Sequence, residues 1–198
     1  MTGSNWRFRL TIRLAMPLLL GAVCSAWGQE LTLQVDPAQS KALFTLSATA
    51  HNVHGTFSLK SGEIHFDPAS GKAGGEIVFD ATSGETGNSS RDHKMHKDVL
   101  QSAQYPEVTF RPDHADGALA SSGKSTLQVH GVFAIHGAEH EMTVPAQIDL
   151  TANKWTATAQ FYVPYVAWGM KNPSNFFLKV GDTVNIELQC AGTINLAR

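Results

Sequence analysis

The sequence predicts an all-β domain, an eight-stranded antiparallel barrel with one short helix near residues 90–101. Three observations carry that expectation. Apolar and polar side chains alternate with period two along most of the chain beyond residue 28, which gives each segment one dry face and one wet face. Clusters of Gly, Asp and Ser break the alternation where hairpin connections would need them. A meander of about eight to ten such segments in one domain must dispose of its edges, and closing into a barrel removes them.

Residues 1–28 carry Arg7, Arg9 and Arg13 and no acidic residue, followed by an apolar run over 14–23 and a small-residue tail. This is the layout of a secretory leader. Ala26 and Gly28 place small side chains at the two positions a signal peptidase must accommodate, so cleavage is expected before Gln29, with residues 29–198 as one domain. The apolar run is short for a membrane span. Lipoprotein processing at Cys24 is disfavoured by the bulk of Val23. Cleavage removes three of the 15 Lys and Arg residues and none of the 17 acidic ones. The remaining chain is mildly acidic, which argues against nucleic acid as a partner. Cleavage also removes Cys24 and leaves Cys190 without a disulfide partner. Cys190 alternates in phase with Val184, Ile186, Leu188 and Ile194, so a buried, inert thiol is expected.

The strands follow in order. Alternation begins with Leu31, Leu33 and Val35 and resumes with Ala42, Phe44 and Leu46. Shorter runs surround Phe57 and Leu59, Ile64 and Phe66, Ile77 and Phe79, and Val108 and Phe110. Longer ones cover 127–135, 142–150, 155–163 and 184–194. Asp67-Pro68-Ala69-Ser70-Gly71, Asp113-His114-Ala115-Asp116-Gly117, Ser121-Ser122-Gly123 and His136-Gly137-Ala138 read as turns. Residues 91–100 resist the strand pattern. There Met95, Val99 and Leu100 recur at helical spacing, Ser89 or Ser90 can cap the segment, and Asp92 sits in its first turn. The helix must end before Tyr105-Pro106, because proline disfavours helical geometry in the preceding residue.

An eight-stranded antiparallel barrel has an interior wide enough for one elongated small ligand. Alternation points Phe44, Phe57, Phe79, Phe110, Phe133 and Phe161 inward together with the small residues Ala42, Gly131, Ala146, Ala157 and Ala159. Large side chains alone would fill the interior, whereas this mixture either leaves a channel or packs as an ordinary core.

Nine histidines raise the question of a metal. His51 and His54 are three apart on a strand, which sends them to opposite faces, whereas His93 and His96 are three apart on the helix and share one. Two imidazoles do not complete a zinc site, and no Cys or carboxylate motif joins them, so no metal is expected and the pair should be dispensable for ligand retention. The chain has no nucleophile elbow, zinc-protease helix motif, phosphate-cradling glycine loop or dinucleotide fingerprint. No catalytic residue is assigned, and no enzymatic activity or cofactor is expected. The competing reading is a metal-handling or hydrolytic periplasmic protein built on the His93 and His96 region.

Several segments are familiar in their order and spacing. Asp36-Pro37-Ala38 with Ser40, Val53-His54-Gly55-Thr56-Phe57 and Gly62-Glu63-Ile64-His65-Phe66-Asp67-Pro68 open the series. Thr86-Gly87-Asn88-Ser89-Ser90-Arg91-Asp92-His93-Lys94-Met95 and Tyr105-Pro106-Glu107-Val108-Thr109-Phe110 follow. The series continues with Val129-His130-Gly131, Ile135-His136-Gly137, Met142-Thr143-Val144-Pro145 and the run from Val163-Pro164-Tyr165 through Trp168-Gly169-Met170-Lys171 to Asn172-Pro173-Ser174. Together they resemble the YceI-like family across essentially the whole of residues 29–198. The histidine-rich His93-Lys94-Met95-His96 departs from the shorter stretch many members have there.

The resemblance implies a lipocalin-like extended barrel in the bacterial periplasm that stores, transports or protects a polyisoprenoid, an isoprenoid quinone or a similar long-chain amphiphile. Transient membrane contact and a homodimer stay open. The ligand-binding set expected on this basis is Phe44, Phe57, Phe79, Arg91, Asp92, Phe110, Gly131, Phe133, Ala159, Phe161, Trp168 and Lys171. Arg91 and Asp92 would stand at the barrel mouth, either meeting a polar headgroup or bracing the helix as a cap and salt bridge. Trp168 would close over the ligand with Lys171 near an acidic or carbonyl headgroup, or both would simply pack in a loop.

Overall fold

The computed structural model describes residues 30–49 and 51–196; the expected leader, residues 1–28, lies outside them. The strands are β1 (Leu31–Val35), β2 (Lys41–Ala48), β3 (Val53–Phe66), β4 (Ala73–Asp80), β5 (Glu107–Asp116), β6 (Gly123–Ile135), β7 (Ala138–Thr151), β8 (Lys154–Val163) and β9 (Val180–Leu196). Antiparallel neighbours run β3-β2-β9-β8-β7-β6-β5-β4, and β4 pairs back onto β3, closing the expected eight-stranded barrel.

Nine strands occupy eight positions because β1 and β2 share one. β1 pairs with the last residues of β3 and of β9, whereas β2 pairs with the first half of β3 and the earlier part of β9. Between them the 3-10 turn Pro37–Gln39 interrupts the ladder, and Pro37 has no N–H to give it. The break is stitched to β9: Asp36 N donates to Ala191 O at 2.8 Å, and Ala191 N donates to Ser40 Oγ at 3.1 Å.

Two bulges reset which residues face inward. In β3 the runs read separately around Phe57 and Ile64 are one strand with Lys60 as an extra residue, so the inward set passes from Phe57 and Leu59 to Gly62, Ile64 and Phe66. In β5 Asp113 is the extra residue, and the inward phase passes from Phe110 and Pro112 to Ala115. The expected turn at 113–117 is therefore corrected: the strand continues to Asp116 and turns only afterwards, because a bulge absorbs the polar pair without ending the ladder.

The β4–β5 connection holds the helical segment. α1 (Ser89–Lys94) continues as a π-helical turn, Met95–Leu100, which stops at Gln101 in left-handed geometry (φ 48°). The cap is Asn88 rather than Ser89 or Ser90: Asn88 is extended and its Oδ1 accepts from Arg91 N at 3.0 Å, which places both serines already inside the helix.

Candidate functional site

The registers stack inward side chains in rungs down the barrel. From the α1 end, Val163 faces Val184, which faces Leu46; below them come Phe161, Ile186 and Phe44. One rung lower, Ala42, Leu188, Ala159, Ala146 and Leu127 stand in a row across five strands. Three alanines in one rung leave space that the aromatic rung above does not. Below them Cys190 faces Ala157, and Trp155 faces Gly192.

These residues line a cavity of about 650 Å³. It reaches from Val163 to Trp155, about 26 Å of strand, or about 20 Å along the axis after the usual tilt. The void is a tube rather than a chamber. Its floor, away from α1, is formed by buried Leu33, Phe66 and Trp155, with Trp155 Nε1 donating to Gln34 O at 3.3 Å. Cys190 lines the lower tube at 4 % exposure, and burial pushes its thiol up to about 12, so the thiolate is suppressed.

The lining residues that solvent reaches freely, Asn88, Ser90, Lys94 and Asn175, all lie at the α1 end, which is therefore the mouth. Charge enters the lining only there. Arg91 and Lys94 are the charged lining residues, with no carboxylate among the rest. Among the described residues the Lys and Arg salt bridges are those of Lys60 and Arg111, so both mouth cations lack an acidic partner.

Of the expected set, Phe44, Phe57, Phe79, Arg91, Phe110, Phe133, Ala159 and Phe161 lie on the cavity wall. Asp92, Gly131, Trp168 and Lys171 do not. Asp92 faces the turn before its helix, where Oδ1 accepts from Thr86 N at 2.9 Å and from the Thr86 hydroxyl. Arg91 reaches the same residue, with Nε donating to Thr86 Oγ1 at 2.7 Å and Nη2 to Thr86 O at 2.9 Å. The two charged residues are joined through Thr86 rather than by a direct salt bridge, and the guanidinium is held at the mouth. Gly131 abuts the β5 bulge: a Cβ there would collide with the Arg111 carbonyl oxygen and lie 2.8 Å from Pro112 Cα.

Trp168 and Lys171 miss the cavity because their loop is wound into a helical turn. Trp168 N donates to Pro164 O at 3.1 Å and Met170 N to Tyr165 O at 3.0 Å. That winding turns Tyr165 and Met170 into the cavity wall, at 5 % and 3 % exposure. Tyr165 Oη donates to Gly181 O at 2.8 Å, and burial pushes the phenol up to about 12. Trp168 instead stacks on His140 (3.9 Å between centroids, 6° between planes) and leans on Phe133 at 5.9 Å. Lys171 is exposed. Sequence reasoning missed Tyr165, Met170 and Lys94; Lys94 follows Arg91 by three residues on α1, a spacing that shares a helix face.

Of the histidine pair, His93 is exposed and His96 is engaged at both ring nitrogens. His96 Nε2 is 2.8 Å from Gly84 O and Nδ1 is 2.9 Å from Ser102 Oγ. A carbonyl only accepts, so Nε2 carries the proton, and in the neutral ring Nδ1 accepts from the Ser102 hydroxyl. Neither nitrogen has a lone pair left for a metal. Among the described residues no three His, Cys, Asp or Glu side chains cluster as metal ligands. Gly84 is itself closely packed, since a Cβ there would strike the Phe57 ring and lie 2.8 Å from Met95 Cε. His96 thus pins the helical segment to the barrel rim, a structural role separate from ligand retention. His96→Ala should cost about 1–3 kcal/mol by leaving Gly84 O unpaired. Urea denaturation reads this directly, and an unchanged midpoint would remove the clamp from the account.

None of the curated proteins compared with the chain matches it. Solved structures do share its fold. Burkholderia cenocepacia BcnA superposes with a TM-score of 0.64 at 22 % identity, covering 80 % of this chain and 99 % of its own. A polyisoprenoid binding domain from Saccharophagus degradans, implicated in plant cell wall breakdown, gives 0.64 at 16 %, covering 82 % and 98 %. The Campylobacter jejuni YCEI protein gives 0.58 at 19 %, covering 76 % and 88 %. At these identities the likeness shows the fold. The family model for the YceI-like domain matches residues 33–191, from the β1 strand to the last rungs of β9, and the chain belongs to that family.

Proposed function

We propose that this protein holds one long-chain isoprenoid, a polyisoprenoid, an isoprenoid quinone or a similar amphiphile, with its tail in the tube and its headgroup at the α1 mouth. The observation that carries this reading is the division of the cavity wall: apolar from the rim to Trp155, charged only at Arg91 and Lys94. Tail burial supplies affinity, each methylene being worth about 0.8 kcal/mol before ordering costs. The two unpaired cations favour a headgroup that accepts hydrogen bonds, anionic or carbonyl, over a cationic one. The isoprenoid named for the Saccharophagus degradans domain, which has the same fold, supports the ligand class.

The protein carries out no reaction in this reading: the cavity wall offers a suppressed thiol and a suppressed phenol rather than an activated nucleophile. The leader composition of residues 1–28 supports export to the periplasm. Mass spectrometry of the organic extract from protein purified from its native compartment tests the reading. A near-stoichiometric isoprenoid lipid is expected. An empty barrel, or a lipid with a cationic headgroup, would overturn it.

A further inference from the structure

The loop that forms one side of the mouth also carries the most exposed large apolar side chains described. Phe176 and Phe177 are 89 % and 90 % exposed and touch one another edge to face at 5.2 Å. Isolated exposed apolar residues are ordinary, but two adjacent phenylalanines at a cavity rim form a patch whose hydration is costly. Their neighbours Pro173, Asn175 and Leu178 line the cavity, so the patch is continuous with the mouth.

The pair is presented by a braced turn. Asn175 Oδ1 accepts from Phe177 N at 2.9 Å and Leu178 N at 2.8 Å, while Asn175 N donates to Leu178 O at 2.9 Å. Ser174 Oγ accepts from Val180 N at 2.8 Å, and Thr49 N donates to Lys179 O at 2.9 Å, tying the loop to β9 and to the end of β2. A backbone held this closely keeps both rings pointed outward, and they do not fold into the tube. Charge completes the surface: Lys171 and Lys179 flank the phenylalanines, the nearest acidic residue in sequence, Asp182, takes a hydrogen bond from Asn172 Nδ2 at 2.6 Å, and Lys94 stands on the β4–β5 connection, across the barrel from this loop.

We infer that Phe176 and Phe177 are a membrane-docking wedge that seats the mouth on an anionic lipid bilayer. The inference rests on the reading of the cavity as a lipid site. Phenylalanines buried at the acyl boundary and lysines at headgroup level are the two contributions that hold a protein at an interface. Seating the rim there lets a long tail pass between bilayer and tube without crossing water.

Co-sedimentation of the full chain with vesicles of phosphatidylethanolamine and phosphatidylglycerol tests the wedge. Binding is expected that weakens with salt and falls on pure phosphatidylcholine. Phe176→Ser with Phe177→Ser should reduce the partition coefficient about tenfold or more, and Phe176→Trp with Phe177→Trp should restore it. Uptake of a short fluorescent prenyl probe from solution should be equal in all three proteins. Wild-type protein that ignores the vesicles, or a serine variant that binds them as well as wild type, would overturn the inference. So would sedimentation equilibrium showing that the two phenylalanines hold two copies of the chain together. Vesicle binding by a protein that takes up no prenyl probe would sink the cavity reading and leave the docking surface. Probe uptake without vesicle binding would do the reverse.

Discussion

Replacing Ala159 with Trp is expected to abolish retention of the bound lipid, with a fall of at least about tenfold, while the barrel stays folded. Ala159 lies in the rung with Ala42 and Ala146, where the wall is thinnest in side-chain volume, and its Cβ faces the tube. An indole there projects into space that a tail would otherwise occupy. In a filled core the same insertion would cost about 1–3 kcal/mol. Entering a void, it should cost less than about 1 kcal/mol, a shift of no more than about 4 °C in Tm for a domain this size. The comparison is therefore of two measurements on one variant, melting temperature and extracted lipid. A large loss of stability with unchanged lipid would make this rung an ordinary core.

Gly131 should behave in the opposite way, although the alternation places it in the same inward set. Even Gly131→Ala is expected to destabilise by about 3 kcal/mol or more, and Gly131→Leu to prevent folding. The added atoms would meet the Arg111 carbonyl and Pro112 Cα, and backbone atoms cannot rotate aside as a side chain tip does. Their position is fixed by the bulge at Asp113 and by the pairing of Pro112 with Gly131. Denaturant titration of Gly131→Ala decides the point: a midpoint within error of wild type would mean that β5 can recede from β6. The contrast is diagnostic, since a bulky indole should be tolerated at one inward position and a single methyl refused at another.

Much of the architecture was legible in the sequence because a barrel strand is a local, two-sided object. Polar and apolar residues at period two identify such strands without knowledge of their neighbours. The closed eight-stranded barrel, the helical interruption near residue 90, the inward phenylalanines and the burial of Cys190 all follow from that signal. What the period does not encode is an insertion that changes its phase, so the bulges at Lys60 and Asp113 were invisible and the second was read as a turn. The loop after β8 carries no period at all. Its helical winding, set by hydrogen bonds to Pro164 and Tyr165, decided that Tyr165 and Met170 reach the cavity while Trp168 and Lys171 do not. The tube itself belongs to tertiary structure. It is the difference between the perimeter of the closed wall and the side-chain volume that fills it, and that difference is made by Ala42, Ala146 and Ala159, which are distant in sequence and meet only when strand register places them in one rung.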